Sequence, residues 1–270
     1  MTAANNTPAS SGGSQAYGEA WYWDNRYTHD PSTFDWYQKY ASLSPLIRLY
    51  VPRRHPILVV GCGNSAFSEG MVEDGYDEVV NVDISSVVIE AMQNKYSTCP
   101  HLKYMMMDVR DMSAFGIGTF AAVIDKGTLD SLLVSCLYYI RYSFLARALL
   151  LLKLKYLAFL VQCGHNSRDN AAKMLEEVWR VLKDKGVYIL ITYGSPVYRL
   201  SLLKELNWTT KLHVIGKHQS ENSSNWSREL TSPVPLDVNG SFSEAVGMNA
   251  VVHYIYVCIK DDSSGKSEEA

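Results

Sequence analysis

The chain has few cysteines and no two close together. Its five cysteines (Cys62, Cys99, Cys136, Cys163 and Cys258) are scattered, odd in number and never spaced as Cys-x-x-Cys. That excludes a disulfide-built scaffold and a thiolate zinc framework, and reads as a reduced, intracellular protein. The seven histidines include no His-Glu-x-x-His and no close carboxylate pairing, so no metal site is expected. An excess of one charge is also missing: 25 Lys and Arg against 28 Asp and Glu leave a formal net charge of -3, which argues against a nucleic-acid partner. Met1 to Glu19 has neither the basic start nor the apolar stretch of a signal peptide. This Ala/Asn/Ser/Gly-rich stretch and the polar residues 261–270 are expected to be disordered tails. Residues 20–260 are expected to form one domain, since 270 residues with 47% hydrophobic content suit one α/β domain with additions.

What is present is an alternation of strand and helix patterns, which predicts βαβ units and a mostly parallel sheet with helices on both faces. Ile57–Val60 is a predicted strand, Ser65–Asp74 a helix closed by Gly75, and Glu78–Val82 a strand ending at Asp83. Ser85–Lys95 carries a helical apolar stripe, with Ser85 or Ser86 as N-cap. Leu102–Met107 ends at Asp108, and Phe120–Ile124 ends at Asp125. Asn170–Leu182 is a helix that Lys185-Gly186 turns into the strand Val187–Thr192, and Val251–Ile259 is a late strand expected antiparallel near the sheet edge. Three strands in series thus finish in aspartate. Ligands of open α/β sheets bind beyond the carboxyl ends of the strands, so Asp83, Asp108 and Asp125 are expected on one rim.

The first strand breaks into Gly61-Cys-Gly63-Asn-Ser-Ala66, which fits the glycine fingerprint of nucleoside-cofactor sites. Glycines let backbone N–H groups approach the ligand, and an acid about 20 positions on, here Asp83, accepts the ribose hydroxyls. The loop alone does not choose between a dinucleotide and another adenosine cofactor. Asp108, placed for an adenine amino group, and the absence of a second glycine-rich loop favour the latter.

Several segments carry a narrower resemblance: Tyr22-Trp-Asp-Asn-Arg-Tyr27, Phe34-Asp-Trp36, Leu58–Ser65, Asn81-Val-Asp-Ile-Ser85, Met107-Asp-Val-Arg110, Asp125-Lys-Gly-Thr-Leu-Asp130 and Glu177–Lys183. On these the chain resembles the seven-β-strand S-adenosylmethionine-dependent methyltransferases. Within them it is similar to the methyltransferase-like group that includes lysine methyltransferases of translation elongation factor 1-alpha. The resemblance implies a Rossmann-like seven-stranded mixed sheet, S-adenosylmethionine as cofactor, a protein substrate like elongation factor 1-alpha, and a cytoplasmic setting. It implies that Trp23, Tyr27 and Trp36 close over the cofactor, aromatic faces being suited to a sulfonium cation. By the same resemblance Gly61 and Gly63 approach the methionine portion, Asp83 with Ile84 holds the ribose, and Asp108 with Val109 frames adenine. Lys126 is placed beside the methyl-transfer pocket, and Asp125 or Asp130 orients the acceptor amine. Asp125 stands where the group more usually has glutamate. The alternatives are a non-catalytic binding module on the same fold, and a small-molecule methyltransferase.

Residues 134–162 stand apart: no Asp, Glu, Gly, Pro or Asn, with leucine and tyrosine throughout. Arg141, Arg147, Lys153 and Lys155 interrupt the run too often for a membrane span, and at helical pitch they spread round the cylinder where an interfacial helix would gather them on one face. The segment begins with Val, whose codons start GT, and ends with Gln, which CAG encodes. These are the boundary letters of an intron, and the segment is read as a translated in-frame intron inserted on the acceptor side of the site. Long-read transcripts are expected to lack these codons in most messages. Their presence in most messages, with a stable protein product, would refute the reading.

Overall fold

The computed structural model describes residues 17–133, 167–216, 229–235 and 252–262. The expectations for the two tails fall largely outside these residues, and that for 134–162 wholly outside. Along the chain come α1 (Ala20–His29), α2 (Tyr40–Tyr50), β1 (Ile57–Val60), α3 (Phe67–Glu73), β2 (Val79–Asp83), α4 (Ser86–Lys95) and β3 (Leu102–Met106). They are followed by β4 (Phe120–Lys126), α5 (Thr128–Leu133), α6 (Ser167–Val181), β5 (Leu182–Thr192), α7 (Pro196–Leu203), β6 (Trp208–Gly216) and β7 (Val252–Lys260).

The strands form one seven-stranded sheet in the order β3-β2-β1-β4-β5-β7-β6. Strands β1 to β5 pair in parallel, while β7 runs antiparallel to both β5 and β6. The chain direction crosses over at β1, between β2 and β4, and there the strand ends open into a crevice.

β1 is four consecutive apolar residues, all buried, because helices cover both faces of the sheet. Successive side chains point to opposite faces. Ile57 and Val59 pack with Leu43, Ile47 and Met71 of α2 and α3. Leu58 and Val60 pack on the other face, in the cluster that holds Met174, Leu175 and Val178 of α6. Each such side chain contributes roughly 1.5–3 kcal/mol relative to exposure. Ser85 caps α4 by accepting a hydrogen bond from Val88 N–H, as its position in the sequence suggested.

Three elements were not legible. α2 carries Pro45, which cannot donate a backbone bond to the preceding turn; Ser44 Oγ donates to Ala41 O in its place, at 3.1 Å. α7 and the edge strand β6 mix polar and apolar residues, and β6 buries His213 while exposing Thr209. The late strand is antiparallel and near the sheet edge as expected, and β6 takes the edge itself, with β7 between β5 and β6. Lys185-Gly186 falls inside β5 as an irregularity. Lys185 has φ +62°, and the pairing register shifts between Phe120 and Ala122. Among the described residues no helix is long and apolar enough to cross a membrane.

Candidate functional site

The crevice holds a cavity of about 270 Å³ above the ends of β1, β2 and β4. Its floor is the glycine loop. Gly61 and Gly63 have φ +58° and +52°, in the left-handed region that favours glycine. A Cβ on Gly61 would lie 2.0 Å from Thr128 Oγ1, and one on Gly63 2.6 Å from the Tyr27 hydroxyl. Bare backbone therefore lets α5 and α1 close on the loop from two sides. Thr128 Oγ1 completes that closure by donating to Val60 O at 2.9 Å.

Asp83 ends β2 and is nearly fully buried. Gly63 N–H donates to its Oδ2 at 2.9 Å and Ser85 N–H to its Oδ1 at 3.0 Å. Burial pushes its carboxyl above the ordinary range, opposed by the backbone donors at Ser85, Gly63 and Ile84. A carboxylate offers about four acceptor sites, so these donors orient Asp83 and leave it acceptor capacity on the cavity wall.

One side of the cavity is α1. Asp24 accepts from Ser85 Oγ at 2.7 Å and from Val87 N–H at 3.3 Å, fastening α1 to the start of α4. That contact fixes the helix face bearing Trp23 and Tyr27, whose rings stack with centroids 6.0 Å apart. The roof is the segment after α1. Asn64 accepts from Phe34 N–H at 3.2 Å, Ser65 Oγ donates to Asp35, and Lys126 Nζ donates to Asp35 Oδ1 at 3.2 Å and to Trp36 O at 3.1 Å. Burial pulls the Lys126 amine below its ordinary value, and the Asp35 carboxylate opposes the shift. Trp36 and Phe34 meet edge-on with centroids at 5.1 Å, and the Arg26 guanidinium lies 5.6 Å from the Phe34 ring.

Trp23, Tyr27, Trp36, Gly61, Gly63, Asp83, Ile84, Asp108, Val109, Lys126 and Asp130 all line this one cavity; Asp125 does not. Two of the three strand-end aspartates share the rim. Asp125 instead lies inside β4, because that strand runs two residues further than the pattern suggested. Its side chain is buried, accepting from Thr128 N–H at 2.7 Å, Leu129 N–H at 3.1 Å and Tyr188 Oη at 2.9 Å. It fixes the start of α5 and is not placed to orient an acceptor amine. Asp108 lines the far end of the cavity, but its carboxylate is held bidentately by Arg110, with Nη2 to Oδ2 at 2.6 Å and Nε to Oδ1 at 2.9 Å. Burial would raise its carboxyl; the Arg110 bonds outweigh this and hold it low. Asp24, Asp35, Tyr37, Arg110, Tyr193 and Arg199 escaped sequence reading. Asp24, Asp35 and Arg110 fall within the segments that carry the resemblance, where a charged residue flanking a cofactor position was the available signal. Arg199 and Tyr193 come from elements far along the chain.

Residues 57–135 match the family model described as a methyltransferase domain. The chain is 38% identical over 213 residues to the human eEF1A lysine and N-terminal methyltransferase, an alignment covering 77% of this chain and 26% of that protein. It is 40% identical over 119 residues to mouse EEF1A lysine methyltransferase 4, covering 43% of this chain and 46% of that one. The chain thus spans less than half the length of these curated relatives. Among solved structures, Haemonchus contortus phosphoethanolamine N-methyltransferase 1, in complex with phosphoethanolamine and S-adenosylhomocysteine, aligns with a TM-score of 0.51 at 12% identity. That alignment covers 92% of this chain and 49% of the other, and shows the shared fold.

Burial raises Asp125 from 3.8 to about 7; Tyr188 and the backbone donors pull it down, and Asp130 adds to the rise. From pH about 4 to about 7 the folded chain therefore keeps a proton that the unfolded chain has released, so stability falls as pH rises. The stability difference between the native chain and Asp125→Asn is expected to shrink from pH 4 to pH 8 in urea midpoints. A difference independent of pH would contradict the burial account.

Proposed function

We propose that this cavity binds S-adenosylmethionine and that the chain transfers its methyl group to a lysine amine of a protein, with elongation factor 1-alpha as the substrate and the cytoplasm as the setting. The observation that carries the reading is Asp83, a buried carboxylate oriented by loop N–H groups and still able to accept on the wall of an aromatic-lined cavity. The names of the curated relatives support the substrate, and the methyltransferase domain supports the chemistry.

The residues present fit the cofactor. Asp83 would accept the ribose hydroxyls, and Gly61 and Gly63 would bring backbone against the methionine portion. Trp23 and Tyr27 would face the cofactor along α1, with Trp36 over it from the roof. Val109 and Ile84 offer apolar surface at the adenine end. Asp108 would meet adenine as a pair with Arg110. When bound, the cofactor supplies a sulfonium methyl open to in-line displacement.

The chain's own task is to orient the acceptor, exclude water and favour a neutral amine. A free lysine amine, with a pKa of about 10.4, costs roughly 4.6 kcal/mol to neutralise at pH 7. An apolar aromatic slot lowers that cost by disfavouring the ammonium. Lys126 is ion-paired with Asp35 and adds no net charge beside the slot. Its own amine stays engaged with Asp35 and the Trp36 carbonyl. Lys126 also ties the roof to the end of β4, so the aromatic rim keeps water from the reacting end.

Asp83→Ala removes the carboxylate that would accept from the ribose and is expected to weaken S-adenosylhomocysteine binding by about 100-fold or more in calorimetry. Asp83→Asn, which preserves shape, should lose less. Unchanged affinity in a folded Asp83→Ala chain would sink the assignment.

A further inference from the structure

At the end of the cavity opposite Asp108, Tyr37 sits in an unusual backbone state. Its φ is +64°, the left-handed region that a bulky side chain rarely adopts. Such strain persists only where surrounding contacts over-determine it, and it gathers at functional sites. Here the contacts are specific. Tyr37 Oη donates to Asp130 Oδ2 at 2.7 Å. Its ring lies over Gly127, where a Cβ would come within 3.2 Å of a ring carbon, and 4.8 Å from the His253 ring. Its neighbours are held on either side, the Trp36 carbonyl accepting from Lys126 and the Gln38 side chain donating through Nε2 to Gly216 O at 2.8 Å.

Asp130 is itself fully occupied. Oδ1 accepts from Thr192 Oγ1 at 2.6 Å and from Arg199 Nη2 at 2.6 Å; Oδ2 accepts from Tyr37 and, at 3.4 Å, from Tyr193 N–H. Two donors on each oxygen exhaust the carboxylate's acceptor sites. No lone pair remains for a substrate amine, so Asp130 acts through the residues it holds. Arg199, which completes the ion pair, is buried to 8% side-chain exposure, and its Nε has no hydrogen-bond partner among the described residues. A buried guanidinium is a costly way to hold a fold together; its geometric effect is to fix Asp130.

Tyr193, next after the end of β5, brings a second ring to this end, 6.3 Å from Tyr37 and inclined at 60° to it, with 40% of its surface exposed. Both rings line the cavity, beside Ser131 and Leu132.

We propose that Tyr37 and Tyr193 form the wall against which the methyl-accepting amine lies, and that the Arg199–Asp130 pair are positioning residues that hold this wall. The proposal rests on the methyl-transfer reading above and deepens it by naming the acceptor subsite and the class it takes, an unbranched primary amine presented uncharged. With Asp130 saturated and Lys126 tied to Asp35, the wall offers the amine aromatic faces and no free anion. Desolvation at such a surface disfavours the ammonium, so the amine releases its proton to solvent on entering. Its lone pair then takes the methyl as the carbon–sulfur bond breaks and S-adenosylhomocysteine leaves, and the π-faces accommodate the resulting methylammonium.

The test compares Tyr37→Phe, Asp130→Asn and Tyr193→Leu with the native chain in two measurements: calorimetric binding of S-adenosylhomocysteine, and transfer of labelled methyl to purified elongation factor 1-alpha. Native-like cofactor affinity with kcat/KM lowered about 10- to 100-fold is expected, the size of loss a misplaced reacting group causes. Tyr37→Gly relieves the left-handed backbone, and should unfold at a higher urea concentration than Tyr37→Ala while transferring no better. Tyr37→Phe and Asp130→Asn chains that transfer at the native rate with native cofactor affinity would overturn the wall alone. A native chain that binds no S-adenosylhomocysteine would overturn the functional reading and the wall with it.

Discussion

The hydrogen bond from Gly63 N–H to Asp83 joins the two strand ends on which the site is built. It requires the loop to turn with positive φ at Gly61 and Gly63, and it requires Asp83 to be buried. The rest is stacked on that junction. Tyr27 packs where Gly63 has no Cβ, Thr128 packs where Gly61 has none, and Asp24 fastens α1 to the helix that follows Asp83. Substituting either glycine would introduce a left-handed side chain and a steric conflict together. Composition alone could not have assigned the loop a ligand; its coupling to Asp83 gives it a shape that an adenosine cofactor fits.

Much of the fold was legible because a sheet covered on both faces leaves a strong imprint. The continuous apolar run at 57–60, the run at 79–82 broken only by Asn81, and the helical stripes at 86–95 and 167–181 have few other interpretations. The missed elements share one physical feature: their burial is uneven or their local chemistry conflicts with their conformation. α2 tolerates Pro45 because Ser44 replaces a missing bond, and β6, at the sheet edge, exposes Thr209 yet buries His213 among apolar residues. The late strand was recognised as antiparallel, but its place depended on β6.

The site divides in the same way. Positions next to the glycine loop were readable, since short loops beyond adjacent parallel strands must share a rim. Asp125 was misplaced by a difference of two residues in the length of β4, enough to turn a rim residue into a buried one. Arg199 lies 69 residues from Asp130 and reaches it only through α7, so its role was invisible until the chain was folded. Buried carboxylates recur with different duties. Asp83 accepts two hydrogen bonds and keeps acceptor capacity, Asp125 accepts three and fixes α5, and Asp130 accepts four and is saturated.

In the proposed reading a single cavity holds the adenosine cofactor at Asp83 and exposes its reacting end to Tyr37 and Tyr193. A crystal structure of the chain with S-adenosylhomocysteine tests this most directly. The ribose hydroxyls should lie within hydrogen-bonding distance of Asp83, and the sulfur should face the two tyrosine rings. A ligand bound away from Asp83, or one whose sulfur points to the Asp108–Arg110 end, would contradict it.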